Sequence, residues 1–210
     1  MNIKTETTTD INVHLEVADP EATEAIYAAA FGLGDKLKFR ASQAPTTGFR
    51  GFMLSLVVSQ PSGVDSLVST ALEVGFTTLK PAKKSFWGYG GVLQAPDGTI
   101  WKITTSQKKN TGPTTRDIDD FVLLLGVEDV KASKQFYIDH GLTVAKSFGS
   151  KYVEFATPGS TVTLAMYPRR AAAKDAGVSP EGTDSHRIVI GGTAGSFTDP
   201  DGFVWDSTGA

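Results

Sequence analysis

Residues 12–33 read NVHLEVADPEATEAIYAAAFGL, and residues 122–142 read VLLLGVEDVKASKQFYIDHGL. Each begins with a strand-like apolar stretch, reaches an aspartate, runs through a stretch of helical spacing, carries an Ile-Tyr or Phe-Tyr pair and ends on Gly-Leu. Asp19 and Asp129 lie 110 residues apart, as do Tyr27 and Tyr137, with the Gly-Leu off by one residue. A second pair of tags, APDGTIWK ending at Lys102 and DPDGFVWD ending at Asp206, repeats at an offset of 104. The chain therefore reads as a tandem duplication whose second copy is shorter between its tags.

Outward from these stretches, each copy opens β then α. Strands are expected at 11–17 and 121–127, and helices at 20–31 and 130–139. Asp19 and Asp129 are placed as N-caps, and Pro20 suits a first helical turn. FMLSLVVSQ, residues 52–60, is a further strong strand. Val64, Leu67, Val68, Ala71 and Leu72 then give helical spacing to residues 65–74, and Gly75 stops the helix. Short strands are expected around 77–80, 89–94 and 99–105, then 143–148, 151–156 and 161–167, and finally 186–190, 196–198 and 203–207. The Pro-Asp-Gly triplets at 96–98 and 200–202 read as hairpin turns. The polar join TTSQKKNTGPTTRD, residues 104–117, divides the chain into a first domain at 1–106, a linker at 107–117 and a second domain at 118–210. In the last unit only GGTAG separates Ile190 from Ser196, so its helix is missing.

Composition narrows the function. With no cysteine among 210 residues there is no disulfide, thiolate nucleophile or Cys-ligated metal. The formal net charge of -3 argues against nucleic acid, which needs a concentrated basic footprint. No apolar run approaches the length of a membrane span, and the polar MNIKTETTTD has no signal-peptide character. The expectation is a cytoplasmic protein, monomeric or homodimeric, whose partner is a small molecule and neither nucleic acid nor membrane. No nucleophile elbow accompanies the three histidines.

The order strand, Asp, helix, [FI]Y, Gly-Leu, then WGYGG and DPDG-x-x-W, resembles the vicinal oxygen chelate superfamily of glyoxalase I, bleomycin-resistance proteins and extradiol dioxygenases. The resemblance implies an α+β fold of repeated βαβββ modules, forming paired cup-shaped mixed sheets with helices on the outside. Four modules in one chain imply two cups. The first and last units are abbreviated, so unequal cups are expected. It further implies a divalent metal held by residues that open and close the modules. By spacing the opening positions are Asn12 and Val122, with Phe52, Ser55 or Leu56 in the second unit. The closing positions are Lys102, Asp206 and one near Leu164. Only His186, which opens the last unit, and Asp206, which closes it, are good ligands, with Asn12 a weak third. The primary expectation is therefore no cofactor. The alternative is a metal-dependent lyase, isomerase or dioxygenase using His186 and Asp206, or the same two as an acid/base pair. His14 and His140 are read as structural.

The resemblance thus implies a metal-free protein of the glyoxalase/bleomycin-resistance kind that binds a small aromatic or antibiotic-like molecule in a β-sheet cup, and such a cup has aromatic surface to offer. Asn12, Phe52, Trp87, Tyr89, Phe148, Tyr152 and Tyr167 are the candidate ligand contacts, within a wider set that includes Phe49, Phe86 and Phe155. Trp101 and Trp205 occupy matching positions, which points to a packing role with hydrogen-bonded indoles. Gly88, Gly90 and Gly91 mark either a close backbone approach or a bend. Of the two cups, the pairing with His186, Asp206 and Asn12 is read as functional, and the central pairing with Val122, Leu164 and Lys102 as scaffold.

Overall fold

The computed structural model describes residues 10–207. The N-terminal MNIKTETTTD therefore lies, up to Thr9, outside the described residues. The first repeat stretch yields β1 (Ile11–Val17) and α1 (Pro20–Phe31), followed by a 3-10 turn at Gly34–Lys36, β2 (Leu37–Ala41) and β3 (Thr46–Gly48). The second unit holds β4 (Phe52–Val57), α2 (Pro61–Glu73), β5 (Thr77–Ser85), β6 (Gly88–Gln94) and β7 (Ile100–Thr105). After the linker come β8 (Asp120–Val127), α3 (Val130–Asp139), β9 (Thr143–Ser147), β10 (Val153–Ala156) and β11 (Thr163–Pro168). The chain continues through α4 (Arg169–Ala176) and β12 (Gly182–Asp184) to β13 (Ile188–Gly192), β14 (Phe197–Thr198) and β15 (Val204–Asp206).

The caps form as their side-chain chemistry dictates. Asp19 Oδ1 accepts from the Ala22 amide at 3.1 Å, and Asp129 Oδ1 accepts from Lys131 and Ala132 at 2.8 and 3.2 Å. α2 starts at Pro61, four residues earlier than its apolar spacing suggests, because proline suits the first turn. His140 closes α3, its Nδ1 2.8 Å from Phe136 O and its ring stacked on Phe136.

The larger sheet has the order β5-β6-β7-β4-β8-β11-β10-β9. In it β4 runs parallel to β7 and β8 parallel to β11, and the two four-stranded halves meet at an antiparallel seam where Ser55 pairs with Val122. The smaller sheet repeats the plan in reduced form as β14-β15-β13-β1-β2. Its seam is the antiparallel pair β1–β13, with β13 parallel to β15. β3 and β12 make a separate ribbon. Each sheet thus draws strands from both sides of the linker. The result is a mixed α+β fold with one eight-stranded and one five-stranded sheet. The Pro-Asp-Gly triplets turn the β6–β7 and β14–β15 hairpins. At the free edge of the larger sheet, β5 pairs with β6 through two register shifts, between Thr78 and Lys80 and between Lys80 and Lys83.

One apolar core contains the inward residues of both sheets and the buried faces of α1, α2 and α3. Two matching polar chains cross it. Trp101 Nε1 donates to Tyr27 Oη at 3.2 Å, and Tyr27 donates to Asp97 at 2.9 Å. Trp205 Nε1 donates to Tyr137 Oη at 3.1 Å, and Tyr137 donates to Asp199 at 2.8 Å. Burial raises both phenols well above their ordinary range, so both remain donors. The linker is tied down by the buried Gln60, which donates to Gly112 and Pro113 carbonyls and accepts from the Thr111 and Gly112 amides.

α4 departs from the expected plan of helices on the outside. RRAAAKDA carries no large apolar residue, and its buried positions are Ala172, Ala173 and Ala176. These lie on the opposite face of the larger sheet, against Met53, Ile100, Leu124 and Ala165. The helix comes that close because β8 has Gly126 beneath it: a Cβ there would sit 3.1 Å from Ala172 Cβ and 3.0 Å from Gly51 O. Among the described residues no helix is long and apolar enough to cross a membrane.

Candidate functional site

Side-chain alternation divides each sheet into a core face and a cup face. On the larger sheet the row Lys102–Ser55–Val122–Thr163 lies across the cup, in register through β7, β4, β8 and β11. α4 covers the part of this face built from Met53, Leu124 and Ala165. The rest opens into a cavity of about 820 Å³ lined by Lys80, Trp87, Lys102, Phe148, Lys151, Tyr152, Tyr167, Ala171, Lys174 and Asp175.

One wall of this cavity is a run of three rings. Phe148 stacks on Tyr152 with centroids 6.0 Å apart, and Tyr152 meets Tyr167 edge-on at 5.3 Å. Tyr152 donates to Glu154 Oε2 at 2.6 Å, and Glu154 also accepts from Lys146 at 2.7 Å. Burial alone would raise Glu154, but these hydrogen bonds outweigh it and hold the carboxyl below its ordinary range. Burial and Glu154 raise the Tyr152 phenol, and burial and Asp175 raise that of Tyr167. Trp87 closes the far rim from the β5–β6 turn and is 83% exposed. That turn needs Gly88, whose φ is +140° and whose Cβ would stand 2.0 Å from Thr105 O. On the floor, Lys102 Nζ meets Asp175 Oδ2 of α4 at 2.6 Å. Lys80 Nζ donates to the Lys174 and Asp175 carbonyls in the last turn of α4.

The smaller sheet bounds a second cavity of about 700 Å³, whose lining includes Glu16, Arg40, Asp184, His186, Asp201 and Asp206. Asp206, Gly191 and Asn12 share one row across β15, β13 and β1. Asn12 Oδ1 lies 2.7 Å from His14 Nε2. His186 precedes β13, stacks on Phe203 and presents Nδ1 to Arg50 O at 2.5 Å and Nε2 to Asp201 O at 3.0 Å.

The structure therefore places Trp87, Phe148, Tyr152 and Tyr167 around one cavity and leaves three expected contacts elsewhere. Phe52 is buried on the core face of β4, because its parity turns it toward the helices. Tyr89 has the same orientation on β6 and donates to Asp65 of α2 at 2.7 Å. Asn12 belongs to the smaller sheet. The aromatic cavity thus lies in the cup whose strands read as scaffold in sequence. α4, with Ala171, Lys174 and Asp175, was missed entirely; its alanine-rich RRAAAKDA after the β11 strand was the available signal.

No protein-family model matches the sequence, and no curated protein matches it. Among solved structures, glyoxalase I from Zea mays superposes with a TM-score of 0.61 at 15% identity, covering 98% of this chain and 96% of that one. A mutant of the same enzyme gives a TM-score of 0.61 at 15% identity over 94% and 92% of the two chains. A Bacillus subtilis protein provisionally assigned as a dioxygenase gives 0.56 at 12% identity over 90% and 71%. The chain has the fold of glyoxalase I.

The resemblance read from the sequence implies a divalent metal, so the donor set matters. A metal needs three or more side-chain donors converging on one point. The cup row of the larger sheet supplies an ammonium, two hydroxyls and an alkyl group. Leu164, the expected closing position, points into the core, and Thr163 and Ala165 flank it on the cup face. In the smaller cup both nitrogens of His186 face backbone carbonyls, and Asn12 Oδ1 and His14 Nε2 face each other. Among the described residues no group of three or more His, Asp or Glu side chains could hold a metal ion. Among the described residues, those of neither cup fit a divalent metal.

Proposed function

We propose that this glyoxalase-like protein binds a small aromatic molecule in the cup of the larger sheet, without a metal ion. The supporting observation is the ring wall of Phe148, Tyr152 and Tyr167 facing Trp87 across a cavity of about 820 Å³. The volume suits a drug-sized ligand, and aromatic walls reward flat molecules by both burial and ring contact. Both seams are formed within one chain, which supports a monomer as the binding unit. The metal-dependent alternative rests on His186 and Asp206, and nothing in their geometry favours it.

The tryptophans make the test simple. Trp101 and Trp205 are fully buried, so only Trp87 can report directly on a ligand in the cup. Titration with 2-naphthamide should quench or shift Trp87 emission, and Trp87→Phe should abolish that response. Tyr152→Ala should weaken binding by about tenfold, through loss of a ring contact and the area it buries. Calorimetry showing no heat for naphthyl probes would sink the reading.

A further inference from the structure

We propose that the molecule held in this cup is a flat aromatic acid, and that Lys102 receives its acid group in exchange for Asp175. The inference deepens the reading above and rests on it. Its basis is charge segregation in a chain whose net charge is -3. The cavity lining carries four lysines and one carboxylate. The smaller cup has the opposite bias, with Glu16, Asp184, Asp201 and Asp206 against Arg40. A neutral or cationic molecule in the larger cup would leave its lysine excess uncompensated.

Position singles out Lys102. Lys80 is committed to the terminal carbonyls of α4, and Lys151 and Lys174 are exposed to solvent. Lys102 instead rises from the sheet floor beside Ser55, with Tyr167 on the adjoining wall. Its partner Asp175 comes from α4, and the two side chains are 30% and 32% exposed. An ion pair this accessible is screened by solvent and only weakly stabilising. A ligand carboxylate placed on the same ammonium gains a comparable charge-assisted bond while its ring system buries apolar area on Phe148, Tyr152 and Tyr167. The exchange therefore favours the ligand. Burial and Asp175 keep the Tyr167 phenol protonated, so it provides a second donor toward an anion.

The test compares 2-naphthoate with 2-naphthamide, which share a ring system and differ in charge. Calorimetry on the full chain at low salt should show naphthoate binding about tenfold more tightly. Lys102→Met should remove that preference, and a near-native circular dichroism spectrum shows that the variant is folded. Asp175→Asn should tighten naphthoate alone, and it supplies an independent answer if the lysine variant does not fold. Equal binding of the two probes to the unmodified protein, or a preference that survives Lys102→Met, overturns the acid while leaving the aromatic cup intact. If neither probe binds, the aromatic cup itself fails and the acid with it.

Discussion

Asp199 is 5% exposed and bound on every side: Tyr137 donates to Oδ2, and the Asp201 and Phe203 amides donate to Oδ1. Burial raises its carboxyl above the ordinary value of 3.8, and the hydrogen bonds offset only part of that. The folded chain therefore holds this proton more tightly than the unfolded chain does. Its stabilising contribution is full below the ordinary carboxylate value and fades as pH rises through the raised one. The stability difference between the unmodified protein and Asp199→Asn, read from urea denaturation at pH 3.5 and pH 7, should therefore shift toward the variant as pH increases. A difference independent of pH would contradict this. The paired tryptophans were legible as packing residues because they recur at one offset, but their carboxylate partners were not. Tyr27 uses Asp97 of its Pro-Asp-Gly turn, whereas Tyr137 uses Asp199, two residues ahead of the matching Asp201. Asp201 is already engaged by the Glu128 amide and Ser133. His186 illustrates a similar limit. Its spacing suits a ligand, but spacing carries no information about the two carbonyls that its ring nitrogens meet.

At the scale of elements, the two Trp–Tyr–Asp chains tie a helix to a strand and a turn in each half of the molecule. Tyr27→Phe and Tyr137→Phe each leave a buried indole N–H and a carboxylate oxygen short of a partner. Each should cost about 1–3 kcal/mol in chemical denaturation, with similar values for the two. A loss under about 0.5 kcal/mol in both would mean that the hydroxyls do not link these elements. Helices with strong caps or apolar spacing, such as α1 and α3, could be read directly. α4 could not, because its docking surface is three alanines whose value depends on Gly126 lying opposite, and that pairing exists only after the sheet forms. Missing α4 also meant missing Asp175 and the carbonyls that bind Lys80, so the floor of the cup was invisible as an electrostatic unit.

For the whole molecule, the shared core has an experimental consequence. Inward residues of both sheets belong to one apolar cluster, with no gap at which the chain could open into independent halves. Scanning calorimetry should give a single transition whose calorimetric and van't Hoff enthalpies agree; two resolved transitions would show that the sheets unfold separately. The repeated tags made the α+β plan and its unequal cups readable, since each module's periodicity is local. Locating the cavity was harder. Residues 87, 148, 152 and 167 line one cavity although their segments come from opposite ends of the eight-stranded sheet, a proximity that local periodicity does not encode. The two register shifts in β5 have a further effect. This strand lies at the edge of the sheet, where unpaired amides could recruit the same strand of another molecule. Pro81 interrupts the donors there, and Lys83 and Lys84 add like charge along the irregular rim. The edge is thereby a poor template for strand addition by a second copy of the chain.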